Sequence, residues 1–222
     1  CILRGDKMQN NVVFGRLCIV CDWIMKLAYL NLLWILFAVG GLIVFGMIPA
    51  SVSLFTIVRK WLINKETDLP IFHTFYQNYK NEFLKSNKLG FILVLMGLFL
   101  YYDFKLIMAS GGVLQYTLTV PLLLISLFYC ITLLYIFPVY VHFDQKVFQY
   151  FKNSFYIGLI NIDITILIIL LIVLIGFFFS IVPGLLPFFC LSLPVVAIMW
   201  GAALSFRRIE KKQQKINTQK SF

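Results

Sequence analysis

Five long apolar runs constrain this chain more than any other feature. Trp23–Phe45, Leu89–Ala109, Thr117–Val141, Gly158–Ile181 and Gly184–Phe206 each reach the about 20 residues that a helix needs to cross about 30 Å of hydrocarbon. Polar residues inside them are few. Lys26 and Asn31 interrupt the first, Asp103 and Lys105 sit near the end of the second, and Asp163 lies in the fourth; the third and fifth carry no charge. In lipid every backbone N–H and C=O must find its partner internally, so such runs become helices. Composition points the same way: of 222 residues 61% are hydrophobic and only 13% charged, where a soluble domain carries about 25% charged. A water-soluble enzyme core is excluded. The net charge of +10 is read first as a topology signal of a membrane chain, not as a nucleic-acid footprint.

A sixth segment, Pro49–Leu62, is shorter. Pro49 suits the first turn of a helix, and the segment reads as a short span, a re-entrant helix or an interfacial one. Charge placement arbitrates. With six spans and both termini cytoplasmic, every one of the 19 basic residues except Lys105 falls on the cytoplasmic side or its interface, Lys26 snorkelling. The opposite turns, Gly46–Ile48, Ser110–Tyr116 and Val182–Pro183, are short and uncharged. The expectation is an all-α polytopic bundle of about six transmembrane helices, five long and one short. Residues 1–22 form a cytoplasmic N-terminal segment, 23–206 a single membrane domain and 207–222 a basic cytoplasmic tail. Met8 is a candidate start, and no small-residue cleavage site follows the first apolar run, so that helix is expected to stay in the membrane.

Two cytoplasmic stretches are amphipathic. In Pro70–Lys88 the residues Ile71, Phe75, Tyr79 and Phe83 recur every four positions, with Phe72 and Tyr76 beside them; in His142–Tyr156 the apolar set includes Phe143, Phe151 and Phe155. Each reads as a helix lying on the membrane or on a partner. Shifted by 68 residues, Phe75, Phe83, Ser86 and Gly90 match Phe143, Phe151, Ser154 and Gly158. Shared composition and a parallel repeat explain that match equally well.

The run from Trp23 through Lys26, Asn31 and Trp34, the Gly46-Met47-Ile48-Pro49-Ala50 and Val58-Arg59-Lys60-Trp61-Leu62 segments, and the Phe-rich stretch ending in Phe83-Leu84-Lys85-Ser86-Asn87 resemble the YesL family of bacterial membrane proteins. The resemblance weakens through Phe143-Asp144 but reaches the last apolar run. It implies a Gram-positive membrane protein associated with carbohydrate uptake and glycan degradation, without established biochemical activity. It carries no catalytic or ligand-binding residues across.

Candidate sites follow from residue type. Phe72, Phe75, Tyr79, Phe83, Phe143 and Phe151 form the partner-docking set. Asn161 and Asp163 are the intramembrane polar pair, because an ionisable group in lipid costs about 2.5–3.5 kcal/mol or more; the plainer alternative is a carboxylate paired with a cation near a helix start. Arg207, Arg208, Lys211 and Lys212 should hold anionic lipid headgroups. Asp103 and Lys105, beside Tyr101 and Tyr102, read as interface anchors. Cys18 and Cys21 make a CxxC without further ligands, and His73 and His142 lack the three or four convergent donors that a metal needs. Asn31, Ser51, Ser53 and Thr56 read as hydrogen-bonding groups between the first two helices. No GxxxxGK[ST], GxSxG or HExxH motif occurs, so neither an enzyme nor a cofactor is expected. The leading expectation is an accessory or regulatory subunit of a carbohydrate ABC importer, partnered by the permease and its ATPase in the bacterial cytoplasmic membrane. The alternative is an autonomous small transporter or channel built around Asp163.

Overall fold

The computed structural model describes residues 3–110 and 112–220, and all regular elements among them are helical. Cys1 and Gly111, and the side chains of Arg4, Lys7, Arg16, Lys215 and Lys220, lie outside the described residues. Eight helices follow in order: α1 (Leu3–Gly40), α2 (Val44–Arg59, closed by a π-turn over Lys60–Asn64), α3 (Ile71–Ser110), α4 (Gly112–His142), α5 (Val147–Ile160), α6 (Ile162–Ile181), a single turn α7 (Leu186–Phe189) and α8 (Ser192–Lys220). Six are long and apolar enough to cross a membrane: Cys18–Gly40, Val44–Asn64, Ile71–Ala109, Gln115–His142, Ile162–Ile181 and Ser192–Lys212. Their outward side chains are apolar, among them Phe91, Leu95, Phe99, Leu123, Ile166 and Phe177. That is the surface of a multi-pass membrane protein, where lipid is the solvent for the outer face.

Four boundaries differ from the sequence reading, each for a local reason. The first apolar run does not continue to Phe45: the chain turns at residues 41–43 and α2 starts at Val44, so the second span is 21 residues long and Pro49 lies inside it. The turn is very tight. Val44 N–H bonds back to Leu42 O at 2.7 Å across Ile43, whose φ of 59° and ψ of −70° are those of the rare, strained γ-turn. Only glycine fits beside it. A Cβ on Gly41 would stand 2.3 Å from Tyr79 Oη, and one on Gly46 would stand 2.4 Å from Ala38 O.

The amphipathic stretch 70–88 is not a separate helix. It is the first half of α3, which runs unbroken for 40 residues, or about 60 Å, twice the hydrocarbon thickness. Gly90 does not end it, because the missing side chain admits Ile48 of α2. The related stretch does break: α5 stops at Asn161, whose φ of −115° and ψ of 52° leave the helical region before α6 begins. The two stretches that the 68-residue shift aligns therefore fold differently. The last run also breaks. Pro183–Leu185 and α7 precede a second start at Ser192, and α8 carries the basic tail onward as helix to Lys220.

Two apolar clusters hold the bundle. One joins α1, α2, the start of α3 and α8 through Leu30, Leu33, Leu54, Phe75 and Met199; the other joins α3, α4, α5, α6 and α8 through Leu89, Tyr135, Val139, Ile168 and Phe206. The stacked rings of Phe55 and Phe137, 5.4 Å apart, connect them. Asn31 fastens α1, but not to α2 as expected. Its Nδ2 donates to Pro187 O (2.8 Å), and its Oδ1 accepts from the N–H groups of Leu191 (3.1 Å) and Ser192 (3.3 Å), so one buried amide caps the break before α8. The α1–α2 link is instead Trp34 Nε1 to Ser51 Oγ (3.0 Å).

Candidate functional site

A polar cleft of about 570 Å³ opens where the last turns of α2 face the middle of α3, the end of α4 and the start of α5. Helical spacing builds its two walls. Val52, Thr56 and Arg59 stand at i, i+4 and i+7 on α2, and Asn78, Glu82 and Lys85 repeat that spacing on α3, so each set shares one face. Lys88, Tyr140, His142, Asp144, Gln145 and Tyr150 complete the lining, with Val141, Phe143 and Val147 as its apolar part.

Some of these groups are tied down. Tyr140 Oη donates to Glu82 Oε2 at 2.6 Å, and its ring lies 4.9 Å from that of Tyr150. Tyr150 Oη accepts from Gln145 N–H (2.9 Å), and Gln145 Oε1 accepts from Asn153 Nδ2 (2.7 Å). The His142 ring stacks on Phe206 with centroids 4.5 Å apart and meets the edge of Phe143, so it is a packed wall group. Other groups are left over. Arg59 Nε, Asn78 Nδ2 and His142 Nδ1 are buried atoms with no hydrogen-bond partner, and all three residues line this cleft. The ion pairs among the described residues are Asp22–Lys26 and Asp163–Arg208, so Arg59, Lys85 and Lys88 have no carboxylate partner. Buried donors without acceptors cost about 1–3 kcal/mol each, which makes the cleft a place where an acceptor would be welcome.

The residues singled out from sequence lie elsewhere or play other parts. Phe75 is fully buried, and Phe37 of α1 sits among Phe72, Phe75, Tyr76 and Tyr79 with ring centroids 5.0–6.2 Å apart. Tyr79 Oη donates to Phe37 O (3.2 Å), and Phe83 packs edge-on to Tyr79. Phe143 rests on Phe206, while Phe151 lines a separate apolar groove of about 850 Å³ between α3, α4 and α5. The six docking residues therefore make no common face; of them Phe72, 52% exposed, is the open one. Tyr76, Leu84, Phe148 and Tyr156 are exposed in the same two stretches.

Asn161 is buried and its Nδ2 donates to Ile157 O (3.1 Å), locking the α5–α6 bend together with Thr165, which donates to Gly158 O (2.9 Å) and receives Tyr135 Oη at 3.0 Å. Asp163 points outward in the first turn of α6 and is bonded to Arg208 of α8. It lines none of the three clefts described for this chain. The paired-cation reading fits this arrangement, and one of the four tail cations is thereby occupied; Arg207, Lys211 and Lys212 remain exposed. Lys105 lies over the Tyr101 ring at 5.1 Å. Cys18, Cys21, Cys130 and Cys190 are free thiols, and no group of three or more His, Cys, Asp or Glu that could hold a metal occurs among the described residues.

Comparison with known proteins adds the lineage. Residues 27–104 match the family described as "Protein of unknown function, DUF624". The chain is 39% identical over 186 residues to the "Uncharacterized protein YteU" of Bacillus subtilis (strain 168), covering 84% of this chain and 83% of that one. It is 36% identical over 201 residues to YesL of the same organism, covering 88% and 91%, and 32% identical over 190 residues to YesV, covering 86% and 91%. The chain belongs to this YesL-like family. No solved structure matches it. Sequence reasoning reached the family but missed the cleft. Arg59, Lys85 and Lys88 were read only as a topology signal, and the matched i, i+4, i+7 spacing on α2 and α3 is the pattern that would have found it.

Proposed function

We propose that this YesL-like protein is a non-catalytic accessory or regulatory subunit of a carbohydrate ABC importer, anchored in the bacterial cytoplasmic membrane with both termini inside. What supports the docking part is a pair of aromatic surfaces outside the most apolar spans. Phe72, Tyr76 and Leu84 on the first half of α3, and Phe148 (81% exposed) and Tyr156 on α5, stay uncovered while their neighbours Phe75 and Tyr150 are buried. Such side chains next to charged residues mark a protein or membrane contact. What supports the orientation is the distribution of basic residues, with Arg59, Lys65, Lys85 and Lys146 in the connections read as cytoplasmic and further cations in the tail from Arg207. The tail cations Arg207, Lys211 and Lys212 meet anionic headgroups. The association with sugar uptake is the one that the family resemblance implies.

The test is affinity purification from native membranes in a mild detergent, with mass spectrometry of the co-purifying proteins. Phe72→Glu plus Phe148→Glu is compared with the parent. A sugar permease and its ATPase at near-stoichiometric yield, lost in the double variant, are the expected result. A monodisperse chain without companions overturns the reading and turns attention to flux in liposomes.

A further inference from the structure

We propose that the polar cleft between α2, α3, α4 and α5 is a binding site for a phosphate-bearing ligand. The three cations Arg59, Lys85 and Lys88 supply charge, and Arg59 Nε and Asn78 Nδ2 donate hydrogen bonds to its oxyanion. The inference goes beyond the accessory role and does not rest on it, since it is drawn from this chain's own side chains.

Four observations converge. The cleft is about 570 Å³, within the range of about 300–1,000 Å³ usual for small-ligand sites. Three buried nitrogens, Arg59 Nε, Asn78 Nδ2 and His142 Nδ1, belong to its lining and have no partner. Its three cations have no carboxylate within ion-pair distance, although Glu82 and Asp144 share the lining. Glu82 is held by Tyr140 instead, which keeps its carboxylate against the α4 wall. Helix walls with the same i, i+4, i+7 spacing present these groups from fixed backbones, so little ordering is needed on binding.

The chemistry selects phosphate over carboxylate. A carboxylate offers two oxygens and one charge, whereas a phosphate monoester offers three oxygens and a charge of about −1.5 to −2 at neutral pH. Four donor residues on two helices, Arg59, Asn78, Lys85 and Lys88, three of them cations, suit the larger acceptor. Arg59 gives the planar fork and the two lysines give point charges, the pairing that phosphate recognition uses. Val52, Val141, Phe143 and Val147 leave an apolar wall for the organic part of the ligand. Two sources share this chemistry: the headgroup of an anionic phospholipid, and a soluble phosphate ester.

The experiment uses the full chain purified in detergent and in phosphatidylcholine nanodiscs. Glycerol 3-phosphate is titrated calorimetrically, and phosphatidic acid is added to parallel nanodiscs while thermal unfolding is followed by tryptophan fluorescence. Saturable binding of either probe is expected, weakened at least tenfold by Arg59→Gln and by the double variant Lys85→Gln plus Lys88→Gln. For glycerol 3-phosphate, Arg207→Gln plus Arg208→Gln should change binding less than twofold. Binding of glycerol 3-phosphate in lipid-free detergent identifies a soluble ester; stabilisation by phosphatidic acid alone identifies a lipid headgroup. Both lysines are exposed, so their variant keeps the test decisive if Arg59→Gln fails to fold. The proposal is overturned if neither probe binds saturably. It also fails if binding survives the cleft variants and disappears with the tail variant.

Discussion

Replacing Asn31 by Leu removes the amide that joins α1 to the break between α7 and α8. The side chain is 1% exposed and makes three bonds, one to Pro187 O and two from the N–H groups of Leu191 and Ser192. Leu has the same number of side-chain heavy atoms and the same branching but is the bulkier of the two, so no cavity is left and any packing contribution adds to the loss. Interhelical bonds in membrane proteins contribute about 0.6 kcal/mol on average and about 1.7 at most, so three of them amount to about 2–5 kcal/mol. The backbone N–H groups of Leu191 and Ser192 are left without that acceptor, which pushes the cost toward the upper half of that range. Equilibrium unfolding in mixed detergent and SDS, read through the four tryptophans of the chain, measures it. Asn31→Asp keeps the acceptor oxygens and loses the donor, but it also places a carboxylate in the bundle and should be no better than Leu. An Asn31→Leu protein within about 0.5 kcal/mol of the parent, the size of a neutral surface change, would refute the idea that this amide caps the break.

Gly41→Ala and Gly158→Ala should each destabilise by about 1–3 kcal/mol through overpacking. Their added Cβ atoms would lie 2.3 Å from Tyr79 Oη and from Ile131 Cγ2 respectively, and the loss should appear as lower unfolding midpoints. Phe75→Glu should abolish folding while Phe72→Glu leaves it intact, because the first ring is fully buried and the second is 52% exposed; size-exclusion profiles in detergent separate the two outcomes. Asp163→Asn should leave folding and any liposome flux unchanged, since the carboxylate is an exposed helix-end partner of Arg208 and lines no cleft. Loss of a substrate flux on that change alone would restore a transport path through α6.

Some of this was legible in the chain and some was not, and the division is physical. Hydrophobic run length reports where backbone must satisfy itself in lipid, so the six spans could be read without knowing what packs on what. The same signal is blind to where a helix ends inside an apolar run. Trp23–Phe45 reads as one span because Leu42 and Ile43 are apolar; only the approach of Gly41 to Gly46 and Tyr79 shows the turn. Conversely, the polar side chains of 70–88 suggested a surface helix, but helix propensity continues through Gly90 and Ile48 fills the space that glycine leaves.

The sequence by itself determined the solvent and the lineage of this protein. Apolar runs of span length, few charges and basic residues on alternate connections need no fold to be read, because each acts within one segment or between a segment and lipid. Tertiary structure alone decided which polar groups meet. Asn31 finds backbone about 160 residues away, and Asp163 finds Arg208 across 45 positions. Arg59 comes to share a cleft with Asn78, Lys85 and His142. In a chain with so few polar residues, each hydrogen bond depends on how the helices are packed, and packing is a property of pairs of surfaces that no single segment carries.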